Sequence, residues 1–264
     1  MEISDIMTAD PCTVSRDAGL NEAMLLMDER SCRHLPVVEQ GMLAGILSDR
    51  DILEATGWLY DPNRPGGARK VADVMTTSPV TVTAETGIAA ASIEIISRGI
   101  GCLPVTNQDG KLVGILTEMD LLEAYGNAQL DGFPRSADPP AGDHMTPDAV
   151  TISPRATLRQ AIEIRHDNYF RHLPVVERGR LRGMLSDRDL RRALGQGKGM
   201  NALVADVMSS QSVTLGPDEP LTQAARLMAR FRISSLPIVE DRDLLGILTS
   251  TDVIDHCGSV LTVL

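Results

Sequence analysis

One seven-residue pattern occurs four times in this chain: Gly, two apolar residues, a hydroxyl residue, two variable positions and Asp. It reads GILSDRD at 45–51, GILTEMD at 114–120, GMLSDRD at 183–189 and GILTSTD at 246–252. The glycines stand 69, 69 and 63 residues apart. Repetition at that period means units that cannot each bury an apolar face alone, so they must pack against one another. Within the pattern, an apolar run meets Ser or Thr and an acid follows three residues on. This is the signature of a strand passing directly into a helix, with the hydroxyl at the N-cap and the Asp at the third helical position. Two uses of that geometry stand open. The pair can satisfy helix-start N–H groups as a capping box, the commoner role. Alternatively, the helix start and hydroxyl can hold a phosphate while the Asp accepts hydrogen bonds from ribose hydroxyls.

Each pattern closes a longer unit that opens on Met-Thr or Met-Ser: Met7-Thr8, Met75-Thr76, Met145-Thr146 and Met208-Ser209. In the first unit a short strand at Thr13-Val14 precedes a helix whose face is Leu20, Ala23, Met24 and Met27, at i, i+3, i+4, i+7 spacing. The β-branched run Leu35-Pro36-Val37-Val38 predicts a strand, a turn follows at Gln40-Gly41, and the chain enters the pattern. The unit therefore reads β-α-β-β-α. Equivalent helix faces are Ile88, Ala91, Ser92 and Ile95; Leu158, Ala161 and Ile162, with Arg165 breaking the stripe; and Leu221, Ala224, Ala225 and Met228. Thr86 is the expected N-cap of the second helix, Thr157 with Gln160 forms a capping box at the third, and Asp109-Gly110 predicts a hairpin turn.

Units one and three share features that two and four lack. Both carry RHLPVVE (33–39 and 171–177) and SDRD (48–51 and 186–189), whereas Gly101-Cys102 and Ser234-Ser235 precede the LP elsewhere. The repeat is thus a pair, and the pair is duplicated. DGFPRSADPPAG at 131–142 holds three prolines and two glycines and reads as a linker; DPNRPGG at 61–67 reads as a loop. The expected organisation is a first pair over 1–128 (repeats about 1–58 and 70–128), a linker over 129–142 and a second pair over 143–264 (repeats about 143–198 and 203–260). The apolar tail at 260–264 reads equally as a sheet edge or a frayed end.

A net charge of −11, from 25 basic against 36 acidic residues, disfavours binding to nucleic acid or to anionic membranes. No apolar run nears the ~20 residues that a membrane-spanning helix needs, and the N-terminus lacks a secretory signal. The four cysteines show no CxxC spacing and the histidines no HxxxH, so reduced thiols, no metal site and a cytoplasmic location are expected. No GxSxG, GxxxxGK[ST], HExxH or GxGxxG occurs, and the chain is expected not to be an enzyme.

The Met-Thr opening, the VTV-type strand, the LPVV strand and the GIL[ST]xxD ending, in this order four times, resemble the CBS (cystathionine β-synthase) domain. The resemblance implies an α/β fold of four repeats paired into two tandem Bateman modules, with small mixed sheets and flanking helices. It implies that adenosine nucleotides (AMP, ADP or ATP) bind in clefts between paired repeats. By that resemblance the phosphate-contacting hydroxyls are Ser48, Thr117, Ser186 and Thr249, and the ribose acids are Asp51, Asp120, Asp189 and Asp252. Basic residues before LPV hold phosphate in the nucleotide-sensing subunit of AMP-activated kinase; here they are Arg33-His34 and Arg171-His172, in reversed order. Arg is the better phosphate ligand of each pair, since its planar fork stays charged; His34 and His172 read equally as half-buried hydrogen-bonded side chains. Arg50 and Arg188 reach phosphate in one reading and are solvated first-turn residues in the other. Small residues before the LP of repeats two and four leave room for an adenine ring. The expected function is a stand-alone ligand sensor that signals to an unidentified protein partner. The alternative is an assembly protein with vestigial clefts whose helical faces drive oligomerisation, for instance as a homodimer.

Overall fold

The computed structural model describes residues 1–56, 69–128, 138–168 and 171–261. The loop expected at 61–67 and the first part of the linker lie outside them. Repeat one comprises β1 (Thr8–Ala9), β2 (Val14–Ser15), α1 (Leu20–Glu29), β3 (His34–Glu39), β4 (Met42–Ser48) and α2 (Asp49–Ala55). Repeat two adds β5 (Thr76–Thr77), α3 (Ile88–Arg98), β6 (Cys102–Thr106), β7 (Leu112–Thr117) and α4 (Glu118–Ala128). Repeat three holds β8 (Thr146–Pro147), α5 (Leu158–Asn168), β9 (His172–Glu177), β10 (Arg180–Ser186) and α6 (Asp187–Gly195). Repeat four ends the chain with α7 (Leu221–Phe231), β11 (Ser235–Glu240), β12 (Asp243–Thr249) and α8 (Ser250–Leu261). Two compact units result, Met1–Ala124 with Ile254–Leu264, and Tyr125–Val253.

Helix faces follow the apolar spacing. Leu20, Ala23, Met24 and Met27 are the buried residues of α1, and Ile88, Ala91, Ser92 and Ile95 those of α3. Each large side chain of this kind contributes roughly 1.5–3 kcal/mol on full burial. Ser92 sits in such a face at little cost because its hydroxyl donates to the Ile88 carbonyl, 3.0 Å away. Leu158 and Ala161 of α5 are fully buried while Ile162 packs at the edge of the same core. The N-cap of α3 is Gly87, not Thr86. The Thr86 hydroxyl instead accepts from the Thr83 N–H at 3.2 Å, closing the turn before the helix. At α5 the Thr157–Gln160 box forms in both directions, at 3.0 and 3.3 Å.

The structure departs most from the sequence reading at the openings of the repeats. The Met-Thr segments do not join the sheet of their own repeat; they cross to the partner. β1 pairs antiparallel with β7 of repeat two, and β5 pairs with β4 of repeat one. In the second unit β8 pairs with β12, and Ser209 bridges to Met184 on β10. Just before each crossing segment a short 3₁₀ turn plugs into the partner. Val71 N–H donates to the Ala18 carbonyl and Ala72 N–H to Arg16, both at 2.9 Å; Ile3 and Ser4 make the reciprocal bonds to Thr86 and Ala84. Ala141 and Gly142 bond Glu219 and Pro217, while Val204 and Ala205 bond Ala156 and Pro154. Ile3, Val71, Ala141 and Val204 are all fully buried. Val71 and Met75 of repeat two therefore complete the core of repeat one, and Val204 of repeat four completes that of repeat three. The strand expected at Thr13-Val14 forms as β2, parallel to β3, but its counterparts shrink to the single bridges Val82–Val105, Ile152–Val175 and Leu215–Ile238.

Crossing explains the recurring glycine. A β-carbon on Gly45 would lie 2.8 Å from the Thr76 carbonyl oxygen and 2.9 Å from the Met75 sulfur. Gly114 meets Met7 and Thr8, Gly183 meets Met208 and Ser209, and Gly246 meets Met145 and Thr146 in the same way. Glycine is needed there because another backbone lies directly over the strand. Gly183→Ala, whose β-carbon would come 2.5 Å from the Ser209 carbonyl oxygen, is expected to cost ~1–3 kcal/mol in chemical denaturation. Gly199→Ala, with nothing within 4 Å, should be neutral or stabilising by up to ~1 kcal/mol. Equal effects at the two sites would contradict the close-approach explanation.

Candidate functional site

All four hydroxyl–Asp pairs close on themselves. Asp51 Oδ2 accepts from the Ser48 N–H and from Ser48 Oγ, each at 2.7 Å, and the Asp51 N–H donates back to Ser48 Oγ at 3.2 Å. Asp189 accepts from Ser186 N–H at 2.9 Å and from its hydroxyl at 2.6 Å. Thr117–Asp120 and Thr249–Asp252 repeat the arrangement, with all four distances 2.7 Å. The capping box is complete in repeats one and three, and in every repeat the Asp accepts from the N–H and hydroxyl of the residue before the helix. It uses one carboxylate oxygen, Oδ2, and a carboxylate has a second with its own acceptor sites, so a ribose contact is compatible with the box.

The strand pairing brings the residues before LPV to the same place. His34 stands opposite Ser48 and His172 opposite Ser186. The Arg33 carbonyl accepts the Asp49 N–H at 2.9 Å, and the Arg171 carbonyl accepts that of Asp187 at 3.2 Å. Cys102 stands opposite Thr117 and Ser235 opposite Thr249. Arg33, His34, Arg171 and His172 are all half-buried. Arg50 lies along its own helix and pairs with Glu54 at 3.0 Å, the geometry of a surface i,i+4 pair; Arg188 is exposed.

Room for adenine at Gly101 is taken by a side chain of the partner repeat. A β-carbon on Gly101 would lie 2.8 Å from Cε1 of His34 and 3.0 Å from its Nε2, so the imidazole rests directly against the glycine. The small residue accommodates His34. The corresponding residues of repeat four, Ser234 and Ser235, are buried.

A cleft of about 450 Å³ opens between repeats one and two. Its walls are Asp51, Glu54 and Ala55 of α2, and Arg69, Asp73 and Val74 of the segment that opens repeat two. Of the expected site residues, Asp51 alone lines it. Arg69, Asp73 and Val74 were not legible as cleft residues, because the crossing that carries them over α2 has no signal in the local sequence. Arg69 spans the cleft, its Nη1 donating to the Ala55 carbonyl at 2.7 Å. Asp73 Oδ2 accepts the Lys70 N–H at 2.9 Å, which fixes the opening turn.

Burial, then Glu118 and Asp51, push the Cys102 thiol up to about 12. Burial chiefly raises Cys32 as well, with Cys12 next. Among the described residues no cluster of three His, Cys, Asp or Glu side chains could hold a metal ion, and no helix is long and apolar enough to cross a membrane.

The sequence profile of the CBS domain matches four stretches, 3–57, 71–127, 141–196 and 204–259. The chain belongs to the CBS domain family and consists of four such domains in tandem. MJ1225 of Methanocaldococcus jannaschii is 26% identical over 276 residues, spanning 95% of both proteins. Its crystal structure is similar with a TM-score of 0.80 at 21% identity, covering 97% of this chain and 100% of that one. A Pyrococcus horikoshii protein gives 0.70 at 22% identity, covering 99% and 100%. YhcV of Bacillus subtilis is 37% identical over 127 residues, 46% of this chain and 91% of that protein.

Cys102 yields a pH test. The unfolded thiol ionises near the ordinary value of 9.0, whereas the folded one keeps its proton to about 12. Its contribution to stability is full below pH 9 and is lost as pH climbs through that window. Denaturation midpoints should therefore fall more steeply above pH 9 in the wild-type chain than in Cys102→Ala; parallel curves would contradict the assignment.

Proposed function

We propose that this chain is a regulatory ligand sensor that binds adenosine nucleotides in the clefts between paired repeats and changes its contacts with a protein partner on binding. The observation that carries the reading is the cleft between α2 and the opening of repeat two. It sets Asp51, the expected ribose acid, opposite main chain supplied by a different repeat. A ligand held there touches both repeats, so its binding energy depends on how they are seated, which is what a sensor requires.

The chemistry assigns unequal roles to the four repeats. A nucleotide monophosphate carries nearly two negative charges, and burying them without partners is costly. A helix start provides only about half a positive charge. Repeat one offers Arg33 and His34 next to Ser48 and Asp51, and repeat three offers Arg171 and His172 next to Ser186 and Asp189. Arg50 and Arg188 are secondary candidates. Repeat two has Gly101, Cys102 and the acidic Glu118 at these places beside Thr117 and Asp120, and repeat four has neutral serines beside Thr249 and Asp252. Phosphate groups are thus assigned to repeats one and three, one nucleotide per pair. The regulatory role excludes turnover by this chain, in keeping with the missing catalytic motifs.

The assembly alternative draws on one observation, that in all four repeats the Asp is already hydrogen-bonded to the hydroxyl that precedes its helix. Thermal unfolding separates the two. AMP at a hundredfold excess over its dissociation constant should stabilise the folded chain by ~2.7 kcal/mol. Arg33→Ala with Arg171→Ala should weaken binding by ~1.5–3 kcal/mol per site, the scale of charge-assisted hydrogen bonds, and Asp120→Ala much less. Absence of any shift across AMP, ADP and ATP would favour assembly.

A further inference from the structure

Each crossing segment sets a methionine sulfur against the glycine it covers. A β-carbon on Gly114 would lie 2.6 Å from Sδ of Met7, and one on Gly246 2.8 Å from Sδ of Met145. On Gly45 it would meet the Met75 sulfur at 2.9 Å, and on Gly183 the Met208 sulfur at 3.2 Å. In every case the sulfur belongs to the opposite repeat of the pair, so the thioether is part of the joint between the two. Met75 and Met208 also pack against the core of the partner repeat. The four sulfurs differ in access. Met75 is 8% exposed, whereas Met7, Met145 and Met208 are half-buried and reach solvent. The first pair thus has one reachable crossing methionine and the second has two. Elsewhere Met24, Met27 and Met228 are enclosed in cores, while Met1 is exposed.

We infer that Met7, Met145 and Met208 are modification sites for hydroperoxides, at which conversion to the sulfoxide loosens the joint between paired repeats. The inference needs no ligand in the cleft and is independent of the nucleotide reading. The step is a two-electron transfer. A sulfur lone pair attacks the terminal peroxide oxygen, and an S–O bond forms as the O–O bond breaks. The proton of the transferred oxygen passes to the departing one, which leaves as water from hydrogen peroxide or as an alcohol from an organic peroxide. The sulfur is oxidised and the peroxide reduced. A flexible apolar side chain thereby becomes a polar one, and its oxygen is costly to bury without a hydrogen-bond donor. On the glycine side that oxygen has no room, since even a β-carbon there would come too close. Turned outward, it draws the side chain toward water and off the glycine. Either way the backbone pairing beside the sulfur is weakened. At Met7 this is Thr8–Ile115 and Ala9–Gly114, and at Met145 it is Thr146–Ile247 and Pro147–Gly246. At Met208 it is the reciprocal bonding of Met184 and Ser209, at 3.0 and 2.9 Å.

Graded treatment of the full chain with hydrogen peroxide tests this, with oxygen uptake mapped by peptide mass and amide exchange read on the same samples. Uptake at Met1 should leave exchange unchanged. Uptake at Met145 and Met208 should quicken exchange around Met184, Ser209 and Ile247 at least about tenfold. Met24, Met27, Met75 and Met228 should stay reduced while the chain is folded. Met145→Leu combined with Met208→Leu, close in volume and free of sulfur, should be spared that quickening. In the oxidised wild-type chain, methionine sulfoxide reductase with a dithiol should restore slow exchange, which keeps the test open should the double variant fail to fold. Unchanged exchange at full oxidation of Met145 and Met208, or equal quickening in the Leu variant, would overturn the proposal. So would uptake at the enclosed methionines as fast as at the crossings, since oxidation would then proceed through the unfolded chain.

Discussion

The contact on which the rest depends is a backbone crossing: the Met-Thr or Met-Ser segment of each repeat lies over the glycine within its partner's last strand. A side chain on that glycine would meet a carbonyl oxygen and a methionine sulfur at less than van der Waals distance. The consequence is mutual. Repeat one lacks a complete core until Val71 and Met75 arrive from repeat two. Repeat two in turn receives the main chain of Ile3 and Ser4 at Thr86 and Ala84. On these contacts the two halves of a pair complete each other's cores.

That exchange also makes the cleft. The segment that carries Val71 into the neighbouring core continues through Asp73 and Val74 along the wall opposite Asp51. On the proposed reading, structural and ligand-binding roles share residues. The capping box uses Oδ2 of Asp51 to start α2, and its other oxygen is the expected ribose acceptor. Asp73 ties its own turn through Lys70 and contributes charge to the cleft. A ligand spanning α2 and the 69–74 segment would bear on the junction that holds the pair together, and its binding would be coupled to the seating of the repeats.

Local structure was largely legible because it is written in periodicity. The face Leu20, Ala23, Met24 and Met27 sits where its spacing places it, and the Ser48 and Ser186 boxes form as the SDRD pattern requires. Reading failed at residues whose partners the local pattern does not mark, some of them distant in the chain. Thr86 has the composition of a cap, yet the helix starts one residue later and its hydroxyl is used by Thr83. Gly101 reads as open space and is filled by His34 from another repeat. Arg69 and Asp73 follow a loop of no distinctive pattern, and only the crossing brings them to Asp51. Arg50 belongs to a motif, but it pairs with Glu54, one helical turn away, as i,i+4 neighbours on a helix do.

Hydrogen–deuterium exchange on the full chain, with and without saturating AMP, tests the central claim most directly, that the ligand is held between two repeats rather than on one. A ligand held between the repeats should protect two segments distant in sequence simultaneously, the start of α2 around Ser48–Leu53 and the opening of repeat two around Lys70–Met75. The claim would be contradicted by binding that slows exchange in one of these segments and leaves the other unchanged.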